Sequence, residues 1–181
     1  MKVLVCKVCG EVFIGGTVPS NCPFCGVAQK NMLPAIAWKD ENNVELSEMS
    51  RKNLEMALEL EITNMTFYKK CFDGLSNREV ALMFKGLFKV EREHASVFRK
   101  ILKSVADPVV EVEFEDDALK CLEHSKTSEI KARDFYALAM AEAVEPRVKE
   151  VFCEIMATEA DHLVLDEEVI KKLNGKFIET H

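Results

Sequence analysis

From residue 47 onward, apolar side chains return every three or four positions, the period of helices with one buried face. Four such runs are separated by breaks. The first spans about 47–72 and stops at Asp73-Gly74, a helix-ending pair. The second, about 76–105, opens with Ser76 and Glu79 in the spacing of a capping box. The third covers about 116–143. The fourth starts at Pro146, a residue suited to the first helical turn. It ends near Leu173-Asn174-Gly175, with Lys171 and Lys172 placed against the helix dipole. Between the second and third runs, residues 106–114 are β-branched and broken at Pro108, a stretch long enough to cross a bundle. The pattern predicts a mainly α chain built on a four-helix bundle over 47–181.

Residues 1–36 lack that period. They carry Pro19, Pro23 and Pro34 and four of the cysteines, and read as a separate small module. Residues 37–46, with the only tryptophan, Trp38, read as a linker.

The bundle segment is duplicated. A shift of 68 residues brings Leu54 onto Leu122, Glu61 onto Glu129 and Phe67-Tyr68 onto Phe135-Tyr136. The same shift brings Glu91 onto Glu159 and His94 onto His162. A tandem repeat of one helix pair predicts an internal pseudo-two-fold axis, and both halves should contact whatever sits on it.

The apolar stripes contain residues that do not belong in a core. The first reads Leu54, Leu58, Glu61, Met65, Tyr68, Phe72, and the second includes Phe84, Leu87, Phe88, Glu91, His94, Phe98 and Ile101. The third reads Leu122, Glu129, Ala132, Tyr136, Ala139, and the fourth Phe152, Ile155, Glu159, His162, Leu165, Val169. Each stripe holds one glutamate, and two add a histidine one turn later. An unpaired buried carboxylate costs several kcal/mol or keeps its proton, and four at one level repel each other. Two divalent cations would neutralise four glutamates. Glu-x-x-His places a carboxylate and an imidazole on one helix face. Two single glutamates with two Glu-x-x-His pairs form the ligand pattern of di-iron and di-manganese carboxylate bundles. Tyr68 and Tyr136, the only tyrosines, each follow a proposed ligand by seven residues. As core aromatics they need hydrogen-bond partners, and a ligand carboxylate across the bundle is an obvious acceptor. His124 and His181 have no matching partner and read as surface residues.

Cysteine use is uneven. Cys6-x-x-Cys9 and Cys22-x-x-Cys25 are two knuckles suited to one tetrahedral metal. Cys71, Cys121 and Cys153 lie in helical sequence and read as buried thiols in a reducing compartment. A zinc ribbon and an iron centre both fit the knuckles. Iron suits a chain whose second site needs electrons, because zinc does not change oxidation state.

These residues resemble the rubrerythrin family. The matching pieces are Cys-Lys-Val-Cys-Gly at 6–10, Cys-Pro-Phe-Cys-Gly at 22–26, Glu61 with Tyr68, Glu91-Arg-Glu-His94-Ala, Glu129, and Glu159-Ala-Asp-His162. The rubredoxin-like module precedes the ferritin-like bundle, the order of a reverse rubrerythrin. The resemblance implies a non-haem di-iron peroxidase that reduces hydrogen peroxide to water. It implies Glu61, Glu91, His94, Glu129, Glu159 and His162 as di-iron ligands, with Glu91 and Glu159 bridging. It assigns Cys6, Cys9, Cys22 and Cys25 to one rubredoxin iron fed by a reductase or a rubredoxin, and it implies a homodimer or homotetramer. Two positions depart from the family. Ala132 stands where a further glutamate is usual, and Glu11 replaces an aromatic residue. A ferroxidase or iron-handling protein using dioxygen would use the same ligands, and a zinc-ribbon binding protein is a second rival.

Charge narrows the partners. The 181-residue chain carries a net −7. Lys2, Lys7 and Lys30 against Glu11 give the module +2, which leaves −9 for the rest. This balance speaks against nucleic acid. No apolar run approaches the ~18 residues of a membrane span, and the start lacks a signal-like apolar core. The expectation is a soluble cytoplasmic protein.

Overall fold

A computed structural model describes residues 1–104 and 106–179, with side chains described through Gly175. The expected end of the second helix near Val105, and His181, lie outside the described residues.

The N-terminal module is a three-stranded antiparallel sheet. β1 (Lys2–Cys6) lies between β2 (Val12–Gly15) and β3 (Met32–Pro34). The chain turns back at each knuckle through a glycine with positive φ, Gly10 at 80° and Gly26 at 77°. Each glycine N–H donates to the carbonyl of its knuckle's first cysteine, Gly10 to Cys6 at 2.9 Å and Gly26 to Cys22 at 3.0 Å. A left-handed residue closes such a turn, and glycine adopts it without a steric penalty.

The bundle consists of α1 (Glu48–Gly74), α2 (Arg78–Leu102), α3 (Ala118–Glu142) and α4 (Pro146–Glu179). α1 pairs with α2 and α3 with α4. The connection between the pairs runs back along the bundle. α2 has 25 residues and is ~37 Å long, a span that the extended segment after it can cover. Its start is held by Arg99 Nε donating to Asp107 at 2.5 Å, and its end by Lys70 Nζ donating to the Val112 carbonyl at 2.7 Å.

Several boundaries differ from the sequence expectation for local reasons. Ser47 caps α1, accepting the Ser50 N–H at 3.2 Å. The cap of α2 is Asn77 rather than Ser76, and accepts the Val80 N–H at 3.2 Å. Ser76 is committed elsewhere, its N–H and hydroxyl donating to Asp116 at 2.8 and 2.5 Å. α2 ends at Leu102, with Lys103 in the left-handed region. α4 continues through Gly175 to Glu179, because one glycine costs a helix only about 1 kcal/mol. Cys71 and Cys121 are buried, but Cys153 is exposed. The core stripe of α4 passes from His162 to Asp166 and Ile170, a four-residue step, and leaves Leu165 exposed.

Two apolar clusters result. One joins the module to the bundle end around Phe98, Tyr136 and Phe152. The other fills the far end around Tyr68, Phe84 and Leu122. The glutamates and histidines of the four stripes lie between them. Among the described residues, no helix is long and apolar enough to cross a membrane.

Candidate metal centres

The knuckles bring Cys6, Cys9, Cys22 and Cys25 together, all buried. Cys6 Sγ lies 3.7 Å from Cys25 Sγ, and Cys9 Sγ 3.8 Å from Cys22 Sγ. The edge of a tetrahedron with metal–sulfur bonds of ~2.3 Å is ~3.8 Å, so the sulfurs are already spaced for one ion. Without an ion the four thiols compete. Hydrogen bonds from Cys25, Cys6 and Cys9 push the Cys22 thiol far down, while Cys9 and Cys25 are driven up, first through Cys22. A cation resolves that competition by taking all four as thiolates.

In the bundle, Glu61 on α1, Glu91 and His94 on α2, Glu129 on α3, and Glu159 and His162 on α4 converge. They form two quartets, Glu61-Glu91-His94-Glu159 and Glu91-Glu129-Glu159-His162, each with ligand atoms within 4.8 Å of one another. Glu91 and Glu159 belong to both. His94 Nδ1 lies 2.9 Å from Glu91, 3.1 Å from Glu159 and 3.7 Å from Glu61. His162 Nδ1 repeats the arrangement at 3.2 Å from Glu91, 3.1 Å from Glu159 and 3.6 Å from Glu129. The repeat in the sequence is therefore a pseudo-two-fold axis in the site.

The donor set fits two divalent metal ions. One oxygen of each glutamate, Glu61 Oε2, Glu91 Oε1, Glu129 Oε2 and Glu159 Oε1, is buried with no hydrogen-bond partner. Four orphaned acceptors at one level are costly unless a cation takes them. Protonation shows the same conflict. Burial, then the charges of Glu91 and Glu159, push Glu61 well above the carboxylate range, and burial with Glu159 does the same to Glu129. Against the burial penalty, the histidines hold Glu91 and Glu159 low, and the glutamates raise both histidines in return.

The tyrosines cross the bundle as a pair. Tyr68 Oη donates to Glu129 at 2.5 Å, and Tyr136 Oη donates to Glu61. Each ring packs on a phenylalanine of the opposite helix in its own pair, Phe84 for Tyr68 and Phe152 for Tyr136, with centroids 5.4 and 5.8 Å apart. Ala132 is fully buried and supplies no ligand atom. His124 is an exposed residue against the Phe67 ring.

The two centres touch. His94 Nε2 lies 2.9 Å from the Cys25 carbonyl. The carbonyl can only accept, so Nε2 carries the hydrogen and Nδ1 keeps its lone pair for a metal. The module is held there by polar contacts. Lys100 Nζ donates to the Cys9 carbonyl at 2.7 Å and Arg147 to the Val8 carbonyl at 3.0 Å. Asn31 Nδ2 donates to Glu154 at 2.7 Å, beside a Lys30–Glu154 ion pair, and Lys7 pairs with Glu150. The basic module thus meets acidic residues of α4. A cavity of about 530 Å³, lined in part by Pro23, Phe24, Met83 and Val90, leads to His162. His162 is the more open histidine, its side chain 9% exposed against 0% for His94.

Sequence patterning missed three features. The Cys25–His94 contact is tertiary and leaves no trace in either motif. Ser125 and Asp166 are also fully buried beside the site. The 68-residue shift offers a signal for both, because their counterparts are Ala57 and Phe98.

Comparisons with known proteins match both parts of the chain. A family model described as the rubrerythrin rubredoxin-like domain matches residues 5–32, and one for the ferritin-like domain matches residues 50–172. The chain is 29% identical over 133 residues to reverse rubrerythrin-1 of Clostridium acetobutylicum, covering 66% of this chain and 74% of the relative. It resembles the crystal structure of an uncharacterised conserved protein from Magnetospirillum magnetotacticum, with a TM-score of 0.57 and 20% identity. That match covers 66% of this chain and 92% of the other, and it supports the fold. The chain belongs to the ferritin-like family and has the reverse rubrerythrin architecture, with a four-cysteine site fitted to one iron and a carboxylate–histidine site fitted to two.

Proposed function

We infer that the chain is a non-haem di-iron peroxidase that reduces hydrogen peroxide to water with electrons relayed through its Fe(Cys)4 centre. The observation that carries this reading is the hydrogen bond from His94 Nε2 to the Cys25 carbonyl, 2.9 Å long. It joins a ligand residue of one centre to a ligand residue of the other within one chain. An iron store has no need of that connection, which favours peroxide reduction over the ferroxidase alternative.

When bound, the irons supply the electrons that split the O–O bond and the positive charge that holds its fragments. The residues do the rest. Glu91 and Glu159 would bridge the two ions, Glu61 and His94 would complete one coordination set, and Glu129 and His162 the other. Tyr136 and Tyr68 hold the terminal carboxylates by donation, fixing which oxygen is free. The Phe24-lined cavity admits a small oxidant to the His162 side. Two-electron reduction consumes two protons per peroxide and yields two waters. The external donor would be a reductase drawing on NAD(P)H, or a free rubredoxin, reaching the module.

The test is a coupled assay. Iron-loaded protein, NADH, a rubredoxin reductase and rubredoxin should consume hydrogen peroxide with matching NADH oxidation. Cys9→Ser should stop NADH oxidation while leaving iron in the bundle. Consumption of dioxygen with ferric oxide deposition, and none of peroxide, would support the ferroxidase instead.

A further inference from the structure

The bundle holds one orphaned donor among its orphaned acceptors. Asn64 on α1 is buried, 6% exposed, and its Nδ2 is shut off from solvent with no hydrogen-bond partner. Among the described residues of the bundle, every other buried side-chain atom in that condition is a carboxylate oxygen, of Glu61, Glu91, Glu129, Glu159 or Asp166. Metal ions can take the oxygens of the four glutamates, but a cation cannot satisfy an N–H. Such a donor is costly to bury, and it needs an acceptor that the chain does not supply.

The repeat places this donor on the internal axis. α1 and α3 run antiparallel across the site, since Tyr136 of α3 donates to Glu61 and Tyr68 of α1 donates to Glu129. Asn64 and Ala132 lie between these two crossings, each three residues past its own ligand glutamate and so on the same helix face. The 68-residue shift maps Asn64 onto Ala132, and the pair therefore faces both quartets from the α1–α3 side. That side carries fewer ligand residues. α2 and α4 supply Glu91, His94, Glu159 and His162, whereas α1 and α3 supply only Glu61 and Glu129. Ala132, 0% exposed, has no polar side-chain atom to pair with the amide. From outside, a cavity of about 410 Å³, lined in part by Leu60, Thr63, Ser128 and Lys131, reaches Asn64. It opens between α1 and α3, away from the Phe24-lined cavity on α2 and α4.

We propose that Asn64 is a substrate-binding residue, whose Nδ2–H donates to a small hydrogen-bond-accepting ligand held on the α1–α3 side of the di-metal site. Under the peroxidase reading, on which this use rests, that ligand is hydrogen peroxide. The bond orients the oxidant between the two quartets, and no proton leaves the amide. The alanine opposite offers neither a competing acceptor nor a bulky side chain.

The test uses azide, a small anionic acceptor, as the probe. In iron-loaded protein its infrared band should titrate with an affinity that Asn64→Leu lowers by about 10–100-fold, the value of a hydrogen bond to a charged group. The variant should keep its full bundle iron, because Asn64 belongs to neither quartet. Asn64→Ala combined with Ala132→Asn carries the amide across the axis, and should recover most of the affinity lost in Asn64→Ala alone. In turnover, Asn64→Leu should raise the KM for peroxide with little change in kcat. Wild-type azide affinity in Asn64→Leu overturns the proposal, as does an exchanged variant that binds azide no better than Asn64→Ala. Loss of bundle iron from folded Asn64→Leu protein overturns it as well, by making Asn64 a ligand. A wild type inert to peroxide, whose azide binding still depends on Asn64, refutes the peroxidase reading and leaves the donor assigned.

Discussion

Gly26 is where the docking of the module is most exposed to test. Gly10 and Gly26 close the two knuckles with nearly the same backbone, φ 80° and 77°. Alanine in the left-handed region costs about 1–2 kcal/mol, and both substitutions incur it. Their surroundings differ. A Cβ on Gly10 meets only Trp38 at 3.7 Å and Lys100 Nζ at 3.8 Å, ordinary contacts. A Cβ on Gly26 lies 2.7 Å from Cγ2 of Thr158, a buried residue of α4. Overpacking of that kind costs about 1–3 kcal/mol. Gly26→Ala should therefore destabilise by about 2–5 kcal/mol, and Gly10→Ala by only the backbone part. Thr158→Ala removes the clashing methyl, so the double variant with Gly26→Ala should lose most of the gap between the two glycines. Equilibrium denaturation of zinc-loaded protein measures the stabilities, and the same variants read function. Gly26→Ala should displace the adjacent Cys25 carbonyl that His94 contacts at 2.9 Å, so electron transfer between the centres should slow more than in Gly10→Ala. Equal costs at the two glycines, or a gap that Thr158→Ala leaves unchanged, would refute the view that the module seats on α4 through Gly26.

The shared carboxylates make a stoichiometric prediction. Glu61→Ala should lower bundle iron from two to about one per chain, because Glu61 belongs to one quartet, whereas Glu159→Ala should lose both ions; elemental analysis distinguishes them. Tyr136→Phe removes the donor to Glu61 and should weaken metal binding by about 10–100-fold, measured by competition with a chelator. Glu145 accepts from the Ser47 N–H at 2.6 Å and from the Ser50 hydroxyl, and these bonds outweigh its burial penalty and lower it to about 2. A lowered folded pKa contributes stability above the unfolded value, lost as pH falls through the folded one. Urea denaturation should show wild type losing its advantage over Glu145→Gln between about pH 4.5 and 2.

Much of this architecture is legible in the sequence because the chemistry is local. Glu-x-x-His and Cys-x-x-Cys put ligands on one face or one turn, and the 68-residue repeat tells which glutamates belong together. Asp166 shows the limit. After His162 both Leu165 and Asp166 continue a helical stripe, and hydrophobicity favours leucine. The structure nonetheless buries the aspartate and leaves the leucine toward solvent. The capping of α2 is similar, since Ser76 and Glu79 have capping-box spacing but the serine is taken by Asp116, 40 residues away, and Asn77, an equally good cap, replaces it. The seating of the module depends on contacts such as Arg147 to Val8 and Asn31 to Glu154, which pair distant segments and carry no motif.

Coupling between the two centres is best tested by the visible spectrum of anaerobically reduced, iron-loaded protein during addition of one equivalent of hydrogen peroxide. If electrons pass from the cysteine-bound iron to the bundle through Cys25 and His94, the ferric Fe(Cys)4 colour returns rapidly. A spectrum that stays reduced after the peroxide is added contradicts that coupling and the peroxidase reading with it.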